Sequence, residues 1–260
     1  MITSTHNPKL KLTRALLGRS KERREAGAFV VEGVRLVEEA VAAGWKIRFA
    51  LWDETLRERG VSIVDRLISQ GADVEEVSTG LMKSLSETES PQGILAVVEF
   101  DQRPIPDRPN FILIPDQIRD PGNLGTLLRT AAAAGVQAVI LPPETTDAFA
   151  PKVVRSGMGA HFRLPIHSLS WDQTAGVVNS AGIKVLIADM DGVPCWQTDL
   201  TSPVALIVGG EAEGASESAR KLANGKISIP MAGDVESLNA GVAGSVLMFE
   251  VTRQRTIVKR

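Results

Sequence analysis

The chain has 260 residues, 43% of them hydrophobic and 23% charged, with a formal net charge of −2, a composition typical of a globular protein. Its N-terminus lacks the apolar core of a signal peptide, and no stretch is long and apolar enough for a membrane-spanning helix, so we expect a cytoplasmic protein. The single cysteine, Cys195, and the three histidines show no metal-ligand spacing, so no metal site is expected.

The first hundred residues alternate short helices with short strands. A helix is predicted from Pro8 to Arg24, strands are predicted over 28–33, 47–52 and 93–100, and a further helix ends at Gly71. This alternation predicts a compact α/β domain over residues 1–100. The segment 101–109 contains three prolines and is typical of a linker, because proline cannot donate to a strand ladder and disfavours helix before it.

The start of this first domain is strongly basic. Residues 1–24 contain seven basic residues against one acidic residue, a net charge of +6. Such a cluster can bind RNA phosphates and release their counterions, although a solvated helix face has the same pattern. The candidate phosphate ligands are Lys9, Lys11, Arg14, Arg23 and Arg24.

Residues 110–260 alternate strands and helices more regularly. The predicted strands lie at 111–116, 138–142, 183–190, 204–211 and 226–231, and they are apolar throughout. Helices separate them, the first predicted over Asn123–Gly135 and the last over 237–254. This pattern indicates a parallel sheet with helices on both faces. In open parallel sheets, ligands bind beyond the carboxyl ends of the strands, and three segments with suggestive composition lie at such ends: 120–129, 209–214 and 227–243.

Each of these segments has a functional and an ordinary interpretation. In the first, we expect Asn123 to cap a helix with Arg129 further along it, a pattern more often structural than functional. In the second, glycine amides can bind a ligand, but Glu211 disfavours a pyrophosphate and thus a nucleotide-dependent oxidoreductase. In the third, Ser237 and Asn239 can cap a helix whose small residues also suit tight core packing.

Taken together, the segments NLGTLLRTAAAAGV, LIVGGEAEG and ISIPMAGDVESLNAGVA resemble the SpoU (TrmH-like) branch of the SPOUT methyltransferases. The segments FVVEGVRLVEEA and SPQGILAVV resemble the substrate-binding domain of that family, which is related to small RNA-binding ribosomal proteins. The resemblance implies an α/β methyltransferase domain over 110–260 with a deep trefoil knot, preceded by a small α/β RNA-binding domain. It also implies a homodimer in which each subunit helps to complete the site.

The activity implied by the resemblance is transfer of a methyl group from S-adenosylmethionine to a ribose 2′-hydroxyl of RNA. We expect 23S ribosomal RNA as the substrate, with transfer RNA as the first alternative. A non-catalytic RNA-binding or ribosome-assembly protein that keeps the fold is the second alternative, although the presence of Arg129, Glu211 and Asn239 argues against a degenerate site.

The resemblance also implies site residues. The implied catalytic residues are Arg129, Asn123 and Asn239; the cofactor-binding residues are Gly209, Gly210, Glu211, Ile229, Met231, Ser237 and Leu238; Glu32 and Arg35 join the basic residues in RNA binding. Because an arginine guanidinium stays protonated near neutral pH, we favour Arg129 as a phosphate ligand that stabilises a developing alkoxide, and its role as base stays open. Two departures from the family pattern are a displaced Ser156, which argues against a polar role at that position, and the small pair Ala240-Gly241, which predicts a looser pocket wall.

Overall fold

The computed structural model describes residues 1–101, 103–210, 214–233 and 237–258. In chain order its helices are α1 (Pro8–Gly18), α2 (Ser20–Ala26), α3 (Val34–Ala42), α4 (Glu58–Ser69), α5 (Thr79–Leu85), α6 (Pro121–Ala134), α7 (Pro151–Gly157), α8 (Trp171–Ser180), α9 (Glu217–Leu222) and α10 (Ala240–Val258). Its strands are β1 (Ala28–Glu32), β2 (Ile47–Trp52), β3 (Val74–Glu76), β4 (Ile94–Glu99), β5 (Phe111–Asp116), β6 (Ala138–Leu141), β7 (Ile166–Ser168), β8 (Lys184–Pro194), β9 (Val204–Gly209) and β10 (Gly225–Ser228). None of these helices is long and apolar enough to cross a membrane.

The chain divides into two compact units, unit 1 with residues 1–101 and 149–162 and unit 2 with residues 102–148 and 163–260. The sequence-based division, with a first domain over 1–100 and a second over 110–260, differs from these units in residues 149–162. Aromatic packing explains the difference, because the rings of Phe149 and Phe162 lie 4.9 and 6.4 Å from that of Phe29 in β1.

Unit 1 contains a four-stranded sheet in the order β1-β4-β2-β3, in which β4 runs antiparallel to both neighbours and β2 pairs parallel with β3. Successive residues of a strand point to opposite faces. Accordingly, Phe29 and Val31 of β1 pack in a cluster with α3 and α4, whereas Val30 packs in a cluster with α1 and α5. The sheet is therefore covered by helices on both faces.

The helix predicted from Pro8 to Arg24 is broken into α1 and α2, so that prediction is wrong in part. Arg19 between them has an extended backbone, with φ −131° and ψ 134°. Gly18 weakens the helix there, because glycine has a low helix propensity. The guanidinium of Arg23 then donates a hydrogen bond of 2.5 Å to the carbonyl of Leu16, which satisfies an acceptor at the end of α1.

Unit 2 contains a six-stranded sheet in the order β10-β8-β9-β5-β6-β7, and all of its described pairings are parallel. Ile207 of β9 shares a buried cluster with residues of α8 and α9, whereas a Cβ at Gly244 of α10 would lie 3.2 Å from the neighbouring Val208. Helices therefore cover both faces, and the predicted parallel α/β architecture is confirmed. The sequence prediction lacked β7 and α8.

Candidate active site

A cavity of about 690 Å³ lies at the carboxyl ends of β8, β9 and β10 in unit 2. Three of the chain segments that line it are those at which the sequence predicts cofactor-binding residues. They contribute Gly209 and Gly210 after β9, Ile229, Pro230 and Met231 after β10, and Ser237, Leu238 and Asn239 before α10. Six of the seven residues that the sequence assigns to a cofactor therefore surround one cavity, and the seventh, Glu211, lies outside the described residues.

In the glycine turn after β9, the described glycines Gly209 and Gly210 lie very close to other backbone atoms. A Cβ at Gly209 would lie 2.5 Å from the backbone nitrogen of Ala215, and a Cβ at Gly210 would lie 2.6 Å from the carbonyl oxygen of Gln117. Gly210 also forms an isolated antiparallel bridge with Gly214. Only glycine fits at positions 209 and 210, because any side chain would overlap with backbone atoms. The backbone of this turn is thereby exposed to the cavity instead of side chains.

A segment of β8 also lines the cavity, which the sequence analysis missed. The register of β8 against β10 jumps, since Lys226 pairs with Ile187 and the next residue, Ile227, pairs with Val193. Residues 188–192 therefore leave the ladder, and Ala188, Asp189 and Met190 reach the cavity. The signal was present in the sequence, because the apolar strand ends in a polar, glycine-containing stretch at its carboxyl end.

Asp189 gives the cavity edge an ionised carboxylate. Burial alone would raise its pKa, but the amide of Asp191 and the cations of Lys226 and Arg220 together hold the pKa of Asp189 below its usual value. Its Oδ2 lies 3.0 Å from Nζ of Lys226 and 3.2 Å from a guanidinium nitrogen of Arg220. The carboxylate is therefore held in place by two cations.

Two asparagines meet next to the cavity. Nδ2 of Asn239 donates a hydrogen bond of 2.9 Å to Oδ1 of Asn123, which joins the start of α10 to the first turn of α6. The prediction that Asn123 caps its helix is wrong. The cap is Asp120, whose carboxylate accepts a hydrogen bond of 2.8 Å from the backbone amide of Asn123. Asn123 thus lies inside the first turn, where its side chain is available to Asn239.

Small residues of α10 allow this approach. A Cβ at Gly241 would lie 3.2 Å from Oδ1 of Asn239, 3.3 Å from Cβ of Thr126 and 3.4 Å from Oδ1 of Asn123. Gly241 is absent from the cavity lining, which α10 forms with Ala240, Ala243 and Leu247. Of the pair expected to loosen the pocket wall, Ala240 therefore lines the cavity, whereas Gly241 lies in the contact between α6 and α10.

Arg129 lies on a different face of α6 from the asparagine pair. It is exposed, it is absent from the cavity lining, and it makes no hydrogen bond or ion pair with any residue that the structure describes. The residues of α6 that face α10 include Asn123, Thr126, Leu127 and Thr130, the last within 2.9 Å of Ser245. Within one chain, the structure does not bring Arg129 to the cavity.

Three of the predicted phosphate ligands in unit 1 are engaged elsewhere. Arg14 donates hydrogen bonds to the carbonyl of Thr5 and to the hydroxyl of Ser84. Nζ of Lys9 lies 2.5 Å from Asp73 and 3.2 Å from Glu75. Arg23 is only 4% exposed and donates to the end of α1. These placements contradict the role predicted for Arg23 and weaken the one predicted for Lys9. A count of charges within residues 1–24 does not reveal such partners, because it does not include distant residues such as Asp73 and Glu75. Lys11 and Arg24 are exposed, and Arg14 is half-buried.

Glu32 and Arg35 differ in what they can contact. The Oε1 atom of Glu32 accepts hydrogen bonds from the hydroxyls of Ser86 and Thr88, and its Oε2 atom lies 3.5 Å from a guanidinium nitrogen of Arg155. Glu32 therefore holds the loop that follows α5, and its predicted contact with RNA has no support in this geometry. Arg35, in the first turn of α3, is exposed.

Within the described residues, no group of three or more His, Cys, Asp or Glu side chains could hold a metal ion. Ser156, for which the sequence predicts no polar role, donates to the carbonyls of Lys152 and Val153 in its own helix. Cys195 is fully buried, and burial is the main cause that raises the pKa of its thiol.

Comparison with known proteins gives the following matches. The sequence pattern of the SpoU rRNA Methylase family matches residues 110–249, and that of the MRM3-like substrate binding domain matches residues 7–96. The 23S rRNA (uridine(2479)-2'-O)-methyltransferase of Streptomyces viridochromogenes is 32% identical over 97% of this chain and 92% of its own length. The 23S rRNA (guanosine(2553)-2'-O)-methyltransferase RlmP of Bacillus subtilis is 32% identical over 96% of this chain and 98% of its own length.

Solved structures give the same match. The crystal structure of the SpoU methyltransferase AviRb from Streptomyces viridochromogenes, in complex with the cofactor AdoMet, is 31% identical to this chain and has a TM-score of 0.86. The match covers 96% of this chain and all of the AviRb chain. Both compact units therefore have counterparts in a single known protein.

Proposed function

The chain belongs to the SpoU rRNA Methylase family, as its sequence motifs indicated, and we propose that it transfers a methyl group from S-adenosylmethionine to a ribose 2′-hydroxyl of 23S ribosomal RNA. The observation that carries this proposal is the convergence of the glycine turn, residues 229–231 and residues 237–239 on one cavity. Transfer RNA is less favoured, because the relatives RlmP and the Streptomyces enzyme are named for ribosomal RNA.

The cavity fits S-adenosylmethionine in size and chemistry. Its volume of about 690 Å³ lies within the range usual for small-molecule sites. Its lining combines apolar side chains such as Leu238 and Leu247 with the exposed backbone of Gly209 and Gly210, which suits a flat adenine ring with hydrogen-bonding edges. We therefore assign Gly209, Gly210, Ile229, Met231, Ser237 and Leu238 to the cofactor.

When bound, S-adenosylmethionine supplies a methyl group on a sulfonium, which is a good leaving group. The residues of this chain then have to orient the ribose hydroxyl and stabilise the charge that develops on its oxygen. The hydrogen-bonded pair of Asn239 and Asn123 lies beside the cavity and can orient that hydroxyl. The guanidinium of Arg129 binds a substrate phosphate and stabilises the developing alkoxide.

Arg129 can take this role only in a homodimer, because it does not line the cavity of its own chain. We propose that Arg129 of the partner subunit completes each site. Support comes from α10, on which Val242, Val246 and Phe249 are exposed by 47%, 38% and 50%. These residues follow helical spacing and form one apolar stripe, and such a stripe on a soluble domain is typical of an interface.

We further propose that unit 2 is threaded as the trefoil knot that the family resemblance implies. Its support is the path of the chain: β10 lies at one edge of the sheet beside β8, yet α10 returns to pack on α6 and β9 near the sheet centre. Further support is that residues 229–231 and 237–239, which lie between β10 and α10, line the same cavity as residues 188–190, Gly209 and Gly210.

We propose that residues 1–100 form the RNA-binding domain, that residues 101–109 are the linker and that residues 110–260 form the methyltransferase domain, in a cytoplasmic protein. The match of residues 7–96 to a substrate binding domain supports this role. The exposed cations Lys11, Arg24 and Arg35 are its candidate phosphate ligands. Arg23 is not a candidate, because it is buried, and the contacts of Lys9 and Arg14 within unit 1 make both of them weaker candidates.

The experiment that tests the activity compares wild-type protein with the variants Arg129→Ala and Lys184→Ala, the latter removing an exposed cation of unit 2. Methylation is measured by mapping 2′-O-methyl groups on 23S rRNA and on tRNA, and cofactor affinity by calorimetry. Arg129→Ala should abolish methylation and keep cofactor affinity, and Lys184→Ala should change neither. Methylation of tRNA alone would overturn the proposed substrate. Cofactor binding without methylation of any RNA would favour the non-catalytic alternative.

A further inference from the structure

Asp116, the last residue of β5, is a fully buried carboxylate that the proposed methyl transfer does not use. Its Oδ2 atom accepts a hydrogen bond of 2.6 Å from the backbone amide of Ser216, and its Oδ1 atom has no hydrogen-bond partner among the described residues. Burial raises the pKa of Asp116 above its usual value, which the hydrogen bonds from Ser216 only partly offset. A buried carboxyl group with an unmet acceptor is costly, so its position calls for a physical reason.

The hydrogen bond from Ser216 connects Asp116 to the far end of the glycine turn. Ser216 is the cap of α9, where its hydroxyl accepts a hydrogen bond of 3.2 Å from the amide of Ala219. Asp116 is also the parallel ladder partner of Gly209, at which the turn begins. The start and the end of the turn, residues 209 and 216, are therefore both held by the last residue of β5.

The next residue, Gln117, supports the turn at Gly210. Its φ of 54° lies in the left-handed region, which is uncommon for a residue with a side chain. The hydroxyl of Thr145 stabilises this conformation, since it accepts a hydrogen bond of 3.0 Å from the amide of Gln117 and donates one of 3.0 Å to the carbonyl of Pro115. The carbonyl oxygen of Gln117 is thereby directed at Gly210, where it lies 2.6 Å from the position that a Cβ would occupy.

We propose that Asp116 and Gln117 position the cofactor turn: Asp116 anchors Ser216 and pairs with Gly209, and Gln117 supports Gly210. The inference rests on the proposed function, because the turn is taken to bind S-adenosylmethionine. Asp116 does not line the cavity, so it is a positioning residue that acts through Gly209 and Gly210. A backbone that is held in its binding geometry before the ligand arrives binds more tightly, because less freedom is lost on binding.

The test measures S-adenosylmethionine binding to full-length protein by calorimetry, which reports the dissociation constant separately from the binding-competent fraction. Asp116→Ala should raise the dissociation constant and the KM for the cofactor at least tenfold, with kcat at saturating cofactor within about threefold of wild type. Asp116→Asn keeps an acceptor oxygen for the amide of Ser216 and should stay within about threefold in all three constants. A wild-type dissociation constant for Asp116→Ala would overturn the proposal, whatever its stability.

Asp53 offers a matched control in unit 1. It is also buried, 1% exposed, and its Oδ1 atom accepts a hydrogen bond of 3.0 Å from the amide of Thr55. Asp53→Ala should lower the melting temperature and leave the dissociation constant unchanged. A rise in that constant equal to the rise in Asp116→Ala would overturn the proposal, because the effect would then follow from general destabilisation.

Should Asp116→Ala not fold, Thr145→Val offers a second test, because it removes the hydroxyl that fixes Gln117. An unchanged dissociation constant in that variant would overturn the proposal. Absence of binding by wild-type protein would instead overturn the proposed function.

Discussion

Replacement of Gly244 by alanine tests whether α10 must lie as close to α6 as the structure places it. A Cβ at this position would lie 2.3 Å from Cδ2 of Leu127 and 3.2 Å from Cγ2 of Val208. Carbon atoms in ordinary contact are roughly 3.5–4.0 Å apart, so the Leu127 methyl group would have to retreat by more than about 1 Å. Leu127 and Val208 are both buried, at 0% and 2% exposure, so little space is available for this movement.

Two opposing terms set the magnitude. Overpacking of a close-packed core costs about 1–3 kcal/mol, whereas glycine-to-alanine replacement inside a helix stabilises it by about 0.5–1 kcal/mol. We therefore expect Gly244→Ala to lose up to about 2.5 kcal/mol of unfolding free energy. Gly176 of α8 provides the control, because it is exposed and a Cβ there would meet nothing within 4 Å. Gly176→Ala should gain about 0.5–1 kcal/mol.

The difference between the two variants isolates the overpacking cost, because the helix-propensity gain is common to both. That difference should be about 1–3 kcal/mol, and for a chain of this size each kcal/mol changes the melting temperature by roughly 2–4 °C. Thermal unfolding followed by circular dichroism measures it. A melting temperature of Gly244→Ala equal to or above that of Gly176→Ala would refute the close contact between α6 and α10.

Three further predictions concern buried and charged groups. Cys195 should resist alkylation in the folded protein and react only after unfolding, because burial excludes the reagent and raises the pKa of the thiol. Mass spectrometry measures the extent of alkylation, and rapid modification of the native protein would contradict this prediction. Arg23→Ala should lose about 1–3 kcal/mol by leaving the Leu16 carbonyl unsatisfied, whereas Arg24→Ala should change stability by less than about 0.5 kcal/mol, as measured by urea unfolding. The folded-state pKa of Asp189 is lowered, so its stabilising contribution is present above the ordinary aspartate pKa and is lost as the pH falls through the lowered value. Asp189→Asn should therefore melt below wild type at pH 7, and the difference in melting temperature should shrink as the pH falls through that lowered value; a difference that stays constant across pH would contradict the assignment.

The parallel sheet of unit 2 could be predicted because its main strands are continuous apolar runs separated by helical segments. β5 and β9 are buried along almost their whole length, which removes the alternation of a half-exposed strand. The strand that the prediction lacked, β7, has three residues and is at most half-buried, so it has no apolar run to detect. β7 is a strand because it pairs with β6, and this pairing is a tertiary contact that the local sequence does not indicate.

The candidate site was predictable to the extent that it depends on strand ends. The rule that ligands lie beyond the carboxyl ends of parallel strands located the glycine turn and the segments around residues 229 and 238. It did not locate Asp189, because residues 188–192 reach the cavity only through the register jump between β8 and β10. The engagement of Lys9 was hidden for a similar reason, since its partners Asp73 and Glu75 follow more than 60 residues later.

The small residues of α10 have two explanations in the sequence, core packing and a ligand site, and the structure makes the two inseparable. Ala240, Ala243 and Leu247 line the cavity, Gly241 and Gly244 lie against α6, and Val242, Val246 and Phe249 are exposed. Each set follows the three-to-four-residue spacing of one helix face. Because the faces belong to one rigid helix, a rotation that separated Asn239 from Asn123 would also displace the cavity wall and the exposed stripe. The close contact at Gly244 therefore fixes the asparagine pair, the cofactor cavity and the proposed dimer surface together.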